Sequence, residues 1–385
     1  MGRRQQGGYC CGGSPPEYAQ SQPCCGGATL AARQPSPKTN APWIVDSVPT
    51  PVSEVPRVST TLRPADRLSA WRVRWGIGRM RYTVEPGLYA VGHPTAGSPV
   101  LVSANYKLSF DRLRAELAGL DAWILVLDTA GINVWCAAGK GTFGTDELVR
   151  RIEAVRLAEV VSHRVLVVPQ LGAPGVAAHE VKRRSGFRVQ YGPVRAQELP
   201  AFLAAGMKAT PDMRRVYFRL RDRAAVMPVE LVWSAKYALV VAATFFLLAG
   251  LGPGIYSWTR LAGAGLLSAA MILGAWGGST VLTPVLLPWL PGRALSAKGA
   301  WLGLVFLLGI LVCARFYPAA FDSWFSLAAW CLLVPTVSSF MAMNFTGATT
   351  YTSLSGVRRE MRVAVPIQAA AAVVGVTLWL IGRFV

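Results

Sequence analysis

The chain has 385 residues, 52% hydrophobic and 15% charged, and its 39 Lys and Arg against 20 Asp and Glu leave a formal net charge of +19. That length allows about two or three domains. In a soluble protein such a charge would point to nucleic acid. Here most Arg residues stand before or between long apolar runs, so the excess reads as membrane topology and contact with anionic lipid headgroups. No basic stretch interleaved with aromatics offers a base-stacking platform, so nucleic acid is not expected as a partner.

Residues 1–66 read as a disordered tail rich in Cys, Pro and Gly, because Pro15, Pro16, Pro35, Pro37, Pro42, Pro49, Pro51 and Pro56 interrupt any helix. The N-terminus lacks the apolar core of a signal peptide. Four of the seven Cys cluster here, as Cys10-Cys11 and Cys24-Cys25, each pair followed by Gly-Gly. Adjacent Cys rarely bridge each other, and the rest of the soluble part carries only Cys136, so a secreted disulfide scaffold is not expected and a reducing cytoplasm fits. The pairs read either as duplicated low-complexity sequence or as a handler of soft metal ions, which paired thiolates select. The Cys-x-x-Cys-x-x-Cys spacing of an iron–sulfur cluster is absent.

Residues 67–210 alternate apolar runs with amphipathic stretches. Strands are expected over 99–102, 122–127, 164–168 and 187–190. Helices are expected from Ser109 as cap through 119, over 146–160 behind Thr145 as cap, over 176–184, and over 199–207. Such alternation with short links predicts a Rossmann-like α/β domain, a parallel sheet with helices on both faces. Ligands in such folds sit beyond the carboxyl ends of the strands.

At such an end, after the run over 122–127 closed by Asp128, stands Asn133-Val134-Trp135-Cys136-Ala137-Ala138-Gly139-Lys140. Read as a helix, it places Asn133, Cys136 and Lys140 on one face. A lone Cys beside Trp and Ala is, taken by itself, most often a small buried hydrophobe. The segment is not a phosphate loop, since Val134 and Gly141 occupy positions where that motif needs Gly and Ser or Thr. Nor is a zinc or redox pair expected, with no second Cys near. His93, His163 and His179 lack partners at helical spacing, which argues against a zinc-type site. His163 reads as the end of a helix, and His179 either as shaping a pocket or as an ordinary polar helix residue.

Residues 211–231 form a basic juxtamembrane linker, and 232–385 an all-α transmembrane domain of five helices. Its apolar runs cover 233–251, 261–282, 300–316, 324–343 and 363–381, adequate for a hydrocarbon core of about 30 Å. Gly274 and Gly278 form a small-xxx-small pair. No run contains a central Asp, Glu or Lys, which argues against an ion-coupled transporter. The basic stretch before the first run, then Arg293 with Lys298, then Arg358, Arg359 and Arg362, put the N-terminal domain and the polar loop 346–362 in the cytoplasm and the C-terminus outside.

The octapeptide resembles the cap-helix motif of the corrinoid protein of bacterial mercury methylation, and it matches that motif at every position. That family is related to the large subunit of the corrinoid iron–sulfur protein of acetyl-CoA synthesis. Pro86-Gly87-Leu88-Tyr89, Ala104-Asn105-Tyr106-Lys107, the run over 170–211, Asn344-Phe345-Thr346-Gly347 and Leu354-Ser355-Gly356-Val357 also look like it, so the resemblance covers residues 80–385. His93 departs from it, where an Asn is expected of relatives.

The resemblance implies a corrinoid-dependent methyltransferase that passes methyl from a methylcob(III)alamin-type cofactor to Hg(II), giving methylmercury. Asn133, Val134, Trp135, Cys136, Ala137, Ala138, Gly139 and Lys140 would bind the corrinoid, with the Cys136 thiolate as the lower axial cobalt ligand. Hg(II) is an electrophile and needs methyl of carbanion or radical character, which a thiolate trans to the methyl favours. A helix N-terminus helps hold that thiolate. Trp135 reads as a wall of the site or as core, Lys140 as a partner of a corrin side chain or as solvated, and Asn344 and Thr346 as lining the mouth between the two domains.

Further implications are no iron–sulfur cluster of its own, a ferredoxin with two four-iron clusters as reductant, and a folate-linked methyltransferase as methyl donor system. Membrane lipids of the cytoplasmic membrane would surround the spans, and Cys10, Cys11, Cys24 and Cys25 would meet Hg(II). Two alternatives stand beside this reading: a methyl-carrier corrinoid protein of one-carbon or acetyl-CoA metabolism, and a non-catalytic corrinoid-binding membrane sensor or transporter.

Overall fold

The computed structural model describes residues 41–316, 323–345 and 354–385. The expectations for Cys10, Cys11, Cys24, Cys25 and Thr346 fall outside the described residues. The tail expected through residue 66 is corrected from 44 onward. There β1 (Ile44–Pro49) and β2 (Glu54–Val58) form an antiparallel hairpin. Val55 and Val58 turn into the core, and Arg57 pairs with Asp46. Burial of the valines holds a segment whose prolines argued against a strand. Next come α1 (Pro64–Arg74) and β3 (Gly87–Val91), followed by β4 (Val100–Ala104), α2 (Lys107–Ala115) and β5 (Ala122–Leu127).

The chain then runs through α3 (Val134–Lys140), α4 (Thr145–Ala154), α5 (Leu157–Val160), β6 (Val165–Val168), α6 (Ala178–Ser185), β7 (Arg188–Tyr191) and α7 (Leu199–Ala204). The seven strands form one sheet in the order β1-β2-β3-β5-β4-β6-β7. It is mixed rather than wholly parallel: β4, β5, β6 and β7 run parallel, while β3 lies antiparallel to β5. Helices do cover both faces. Leu125 and Leu127 join Ala137, Phe143 and Leu148 on one side, and Ile124 and Val126 join Phe110, Leu199 and Phe202 on the other.

Of the helix boundaries that differ from expectation, two have a local cause. α2 begins at Lys107 with Tyr106 as its N-cap, not Ser109, because Asp111 pairs with Lys107 and Arg114 inside the helix. The helix expected over 146–160 is broken into α4 and α5 by Arg156 at φ 48°.

From α8 (Leu220–Ala224) onward, five helical stretches among the described residues are long and apolar enough to cross a membrane: Leu220–Leu248, Trp258–Leu286, Leu295–Val312, Trp324–Met343 and Gly356–Ile381. They are built on α9 (Met227–Leu248), the short α10 (Trp258–Arg260) with α11 (Leu266–Leu286), α12 (Leu295–Phe316), α13 (Trp324–Met343) and α14 (Leu354–Ile381). A small hairpin, β8 (Leu251–Gly252) and β9 (Ile255–Tyr256), joins the first two. Residues 354–362, expected as part of a loop, are the first turns of α14.

The close helix packing is not at Gly274, where an added Cβ would meet nothing within 4 Å. It lies at Gly299 and Gly303 of α12, where a Cβ would stand 2.4 Å from Ser338 O and 2.5 Å from Pro335 Cα of α13. Gly278, the other member of the expected pair, packs on the Phe306 ring.

The end of α11 shows how the spans tolerate proline. Pro288 and Pro291 have no N–H to give to the carbonyls of Pro284 and Leu287 four residues before them. Arg223 of α8 donates to Pro284 O at 3.1 Å and Val285 O at 2.7 Å, and Lys298 Nζ donates to Leu287 O at 2.9 Å and to Leu290 O. Both cations are buried, and both sit where the helix dipole is negative.

Candidate functional site

The carboxyl ends of β4, β5 and β6 carry the candidate site. In the parallel part the strand order reverses between β4 and β6, since β5 lies on one side of β4 and β6 on the other. Such a reversal opens a crevice between the loops that follow the two strands.

α3 lies beside this crevice. Asn133 is its N-cap, with φ −65° and ψ 158°, and its Oδ1 accepts from Cys136 N at 2.9 Å. Asn133 therefore stands outside the helix rather than on a face of it. Gly141, left-handed at φ 85°, closes the helix. Val134, Ala137 and Ala138 turn into the core, so Cys136 is left half-buried on the outer side with Gly139 and Lys140 exposed. Trp135 is 39% exposed, which removes the core alternative for it. Cys136 is not a core residue either.

The loop leading into α3 is fixed by one side chain. Asn105, buried after β4, accepts at Oδ1 from Thr129 N (3.1 Å), Thr129 Oγ1 (2.8 Å) and Gly131 N (3.0 Å), and donates to Asp128 Oδ1 at 3.2 Å. Glu147 of α4 accepts from Asp128 N at 2.8 Å. Those bonds hold Ala130 at φ 54° and Gly131 at φ 71°, two left-handed residues in succession. At Gly131 a Cβ would stand 2.7 Å from Thr83 Cγ2, so the segment after α1 is pressed on this loop.

Tyr106 follows Asn105. Its ring is buried, and its hydroxyl has no hydrogen-bond partner. The Arg79 guanidinium lies 5.6 Å from the ring centroid, Tyr82 meets it edge-on at 6.3 Å, and Cys136 is within electrostatic reach. Burial pushes the Tyr106 hydroxyl above the ordinary tyrosine range, so at neutral pH it is a neutral O–H donor. Thr142 Oγ1, just beyond α3, and Gln170 Oε1, in the turn Gln170–Gly172 packed on α3, are likewise buried without partners. Reading of the sequence assigned no role to Tyr106, Thr142 or Gln170. Tyr106 and Gln170 were marked only by lying in segments that resemble the corrinoid family.

The three histidines are spread over the domain. His93 follows β3 at the amino end of β5, beside Arg57, and its N–H donates to Asp121 Oδ1 at 2.7 Å. His163 precedes β6 and bonds Ser98 O at 2.9 Å, and His179 is exposed on α6 next to Glu180. His93 and His163 lie at the amino ends of the parallel strands, away from the crevice, while His179 stands at the start of α6. A pocket of about 580 Å³, lined by Pro99, Val100, Leu120, His163 and Leu203, opens at the amino ends of β4 and β6, away from Cys136. Among the described residues no group of three or more His, Cys, Asp or Glu could hold a metal ion.

Residues 78–203 match the family model described as CO dehydrogenase/acetyl-CoA synthase delta subunit. The acetyl-CoA decarbonylase/synthase complex subunit gamma of Methanopyrus kandleri is 38% identical over 122 residues, 31% of this chain and 26% of that protein. The subunits of the same description from Archaeoglobus fulgidus and Methanosarcina acetivorans are 32% identical over 122 residues and 30% over 129, covering 31% and 32% of this chain. The chain spans about a quarter of the length of these relatives, 26% to 27%. The matched stretch contains every residue of the crevice.

Proposed function

We propose that the chain is a membrane-bound corrinoid protein that carries and transfers a methyl group, with residues 133–140 as the cap over the cofactor. The parallel strands β4 to β7 form the Rossmann-like part that holds it. Similarity to subunits of acetyl-CoA decarbonylase/synthase complexes supports the methyl-carrier role. The residues present fit such a group. The half-buried Cys136 thiol would suit a metal that arrives in its own chelate and takes a donor from the protein. The unpartnered Tyr106, Thr142 and Gln170 atoms suit a macrocycle edged with amides.

The acceptor proposed is Hg(II), and the observation that carries this finer reading is Cys136 itself, held outward at the third position of α3 by the Asn133 cap. When bound, the corrinoid supplies a cobalt-held methyl group, and a thiolate ligand directs charge toward an electrophilic acceptor. Cys136 supplies that sulfur. Asn133 and Asn105 fix its position, Tyr106 donates a hydrogen bond, and Trp135 screens the rim from water. Lys140, exposed at the end of α3, meets a side chain of the macrocycle. A two-cluster ferredoxin as reductant, a folate-linked methyltransferase as methyl donor, Hg(II) capture by Cys10, Cys11, Cys24 and Cys25, and a cytoplasmic cofactor domain complete the proposal.

The test is Cys136→Ala, with Cys136→Thr beside it, both in membranes. We expect parental membrane abundance and loss of methylmercury formation in both, with Cys136→Thr still retaining a corrinoid. A Cys that only filled space would cost about 1 kcal/mol on truncation and leave activity largely intact. Methylmercury made near the parental rate by Cys136→Ala would end the axial-thiolate reading. Corrinoid retention with methyl transfer only to other acceptors would favour the methyl carrier.

A further inference from the structure

The segment from α1 to Tyr82 carries an unusual mixture for the surface of an α/β domain. α1 buries Asp66 and Val73 and turns Leu68 (60% exposed) and Trp71 (57%) outward, and the loop after it exposes Ile77 (50%) and Met80 (71%). Leu68, Trp71 and Trp75 lie at helical spacing, and the two indoles pair at 5.8 Å. Arg67, Arg72 and Arg81 are exposed around this apolar stripe.

The stripe continues the first membrane span. At Gly76 the backbone comes so close to α9 that a Cβ would stand 2.9 Å from Trp233 Nε1 and 3.8 Å from Val229 Cγ2. Arg74, at the end of α1, faces Arg112 of α2 and Arg221 of α8. Among the described residues no ion pair joins any of these three to a carboxylate. Three like charges gathered at the entry of a span call for anions from outside the chain.

We propose that α1 and the loop to Arg81 lie flat on an anionic lipid surface beside the first span, with Leu68, Trp71, Ile77 and Met80 in the interfacial layer and Arg67, Arg72, Arg74, Arg81, Arg112 and Arg221 on the headgroups. An interfacial helix has this distribution, with aromatic and aliphatic side chains on one flank and arginines on the other. The same segment reaches the crevice, because Arg79 covers the Tyr106 ring and Thr83 bridges to Tyr106. The lipid surface therefore fixes the orientation in which the Cys136 face meets the membrane.

Hydrogen exchange of the full chain in nanodiscs tests this, read by mass spectrometry on peptides from residues 64–82. In phosphatidylcholine containing phosphatidylglycerol, the amides of residues 75–82 should exchange about fivefold more slowly than in phosphatidylcholine alone, the factor one basic residue gains at an anionic surface. Peptides of β5 should not change. Arg72→Ser with Arg81→Ser, and separately Trp71→Ser with Ile77→Ser, should each abolish the difference. Equal exchange of the parent in the two lipids overturns the proposal without any variant. The same slowing produced in phosphatidylcholine by inorganic phosphate also overturns it, in favour of a soluble anion.

Discussion

Replacing Asn105 by Ala tests whether the crevice is built as described. The change removes the acceptor for the backbone N–H groups of Thr129 and Gly131, at 3.1 and 3.0 Å, and the donor to Asp128 at 3.2 Å. Thr129 Oγ1 keeps an alternative in Ile132 O at 2.7 Å, so two backbone donors are the main loss. A stranded buried donor costs about 1–3 kcal/mol, and Gly131 is only half-buried, so we expect a loss of about 2–4 kcal/mol. For a domain of this size that lowers the melting temperature by about 5–15 °C. Ala130, at φ 54°, gains by leaving its left-handed conformation once the bonds are gone, which loosens the entry to α3. Alkylation of Cys136, followed by peptide mass spectrometry on the native protein, should then run several times faster than in the parent. Asn105→Asp keeps the acceptors and loses the donor, and should fall between. Parental melting and parental Cys136 reactivity in Asn105→Ala would show that the loop does not depend on this side chain.

The buried Asp66 gives a pH prediction. Burial raises its pKa, but hydrogen bonds from Arg63 and Lys107 outweigh this and hold it at about 2. A carboxyl lowered from 3.8 to about 2 contributes about 2 kcal/mol, present above pH 4 and lost as pH falls through about 2, so Asp66→Asn should flatten that limb of the acid-unfolding curve. At neutral pH the same variant weakens one of the two carboxylate contacts of the fully buried Arg114, which keeps Asp111 at 2.8 Å, and should cost about 1–3 kcal/mol in denaturant unfolding. Arg223→Ala should fray the end of α11, seen as faster amide exchange near residue 285 in lipid, at a cost of about 1–3 kcal/mol. Gly303→Ala should lower the melting temperature in detergent by forcing α12 off α13. Gly274→Ala, with open space around it, should be neutral or stabilise by up to about 1 kcal/mol.

β5 was legible to the residue because it is buried on both faces and reads as an unbroken apolar run. α13 was legible for a similar reason, as a long apolar run that Ser323 caps. α3 was expected over the octapeptide, but with Asn133 on its face; that Asn133 and Gly141 cap it was not read. β1 and β2 were not legible: Pro49, Pro51 and Pro56 argue against a strand, and only long-range burial of Val55 and Val58 overrides them. The mixed sheet was hidden too, since the direction of β3 depends on which neighbour it finds. Of the candidate site, the strand end and the cysteine were visible locally. The roles of Asn105 and Tyr106 were not, because their partners lie about twenty to thirty positions away in sequence.

That long-range part explains why so short a helix can hold a half-buried thiol in place. Seven residues are too few for a helix to be stable by its own hydrogen bonds. α3 persists because Val134, Ala137 and Ala138 are locked into the sheet's core and because its entry loop is tied to β4 and α4 through Asn105 and Glu147. Its outer side is thereby released from any packing duty, and Cys136, Gly139 and Lys140 are free to face a ligand. A buried cysteine on a longer helix would have given a more stable element with no exposed sulfur. Fixing the helix from below is what lets this thiol be both rigid and accessible.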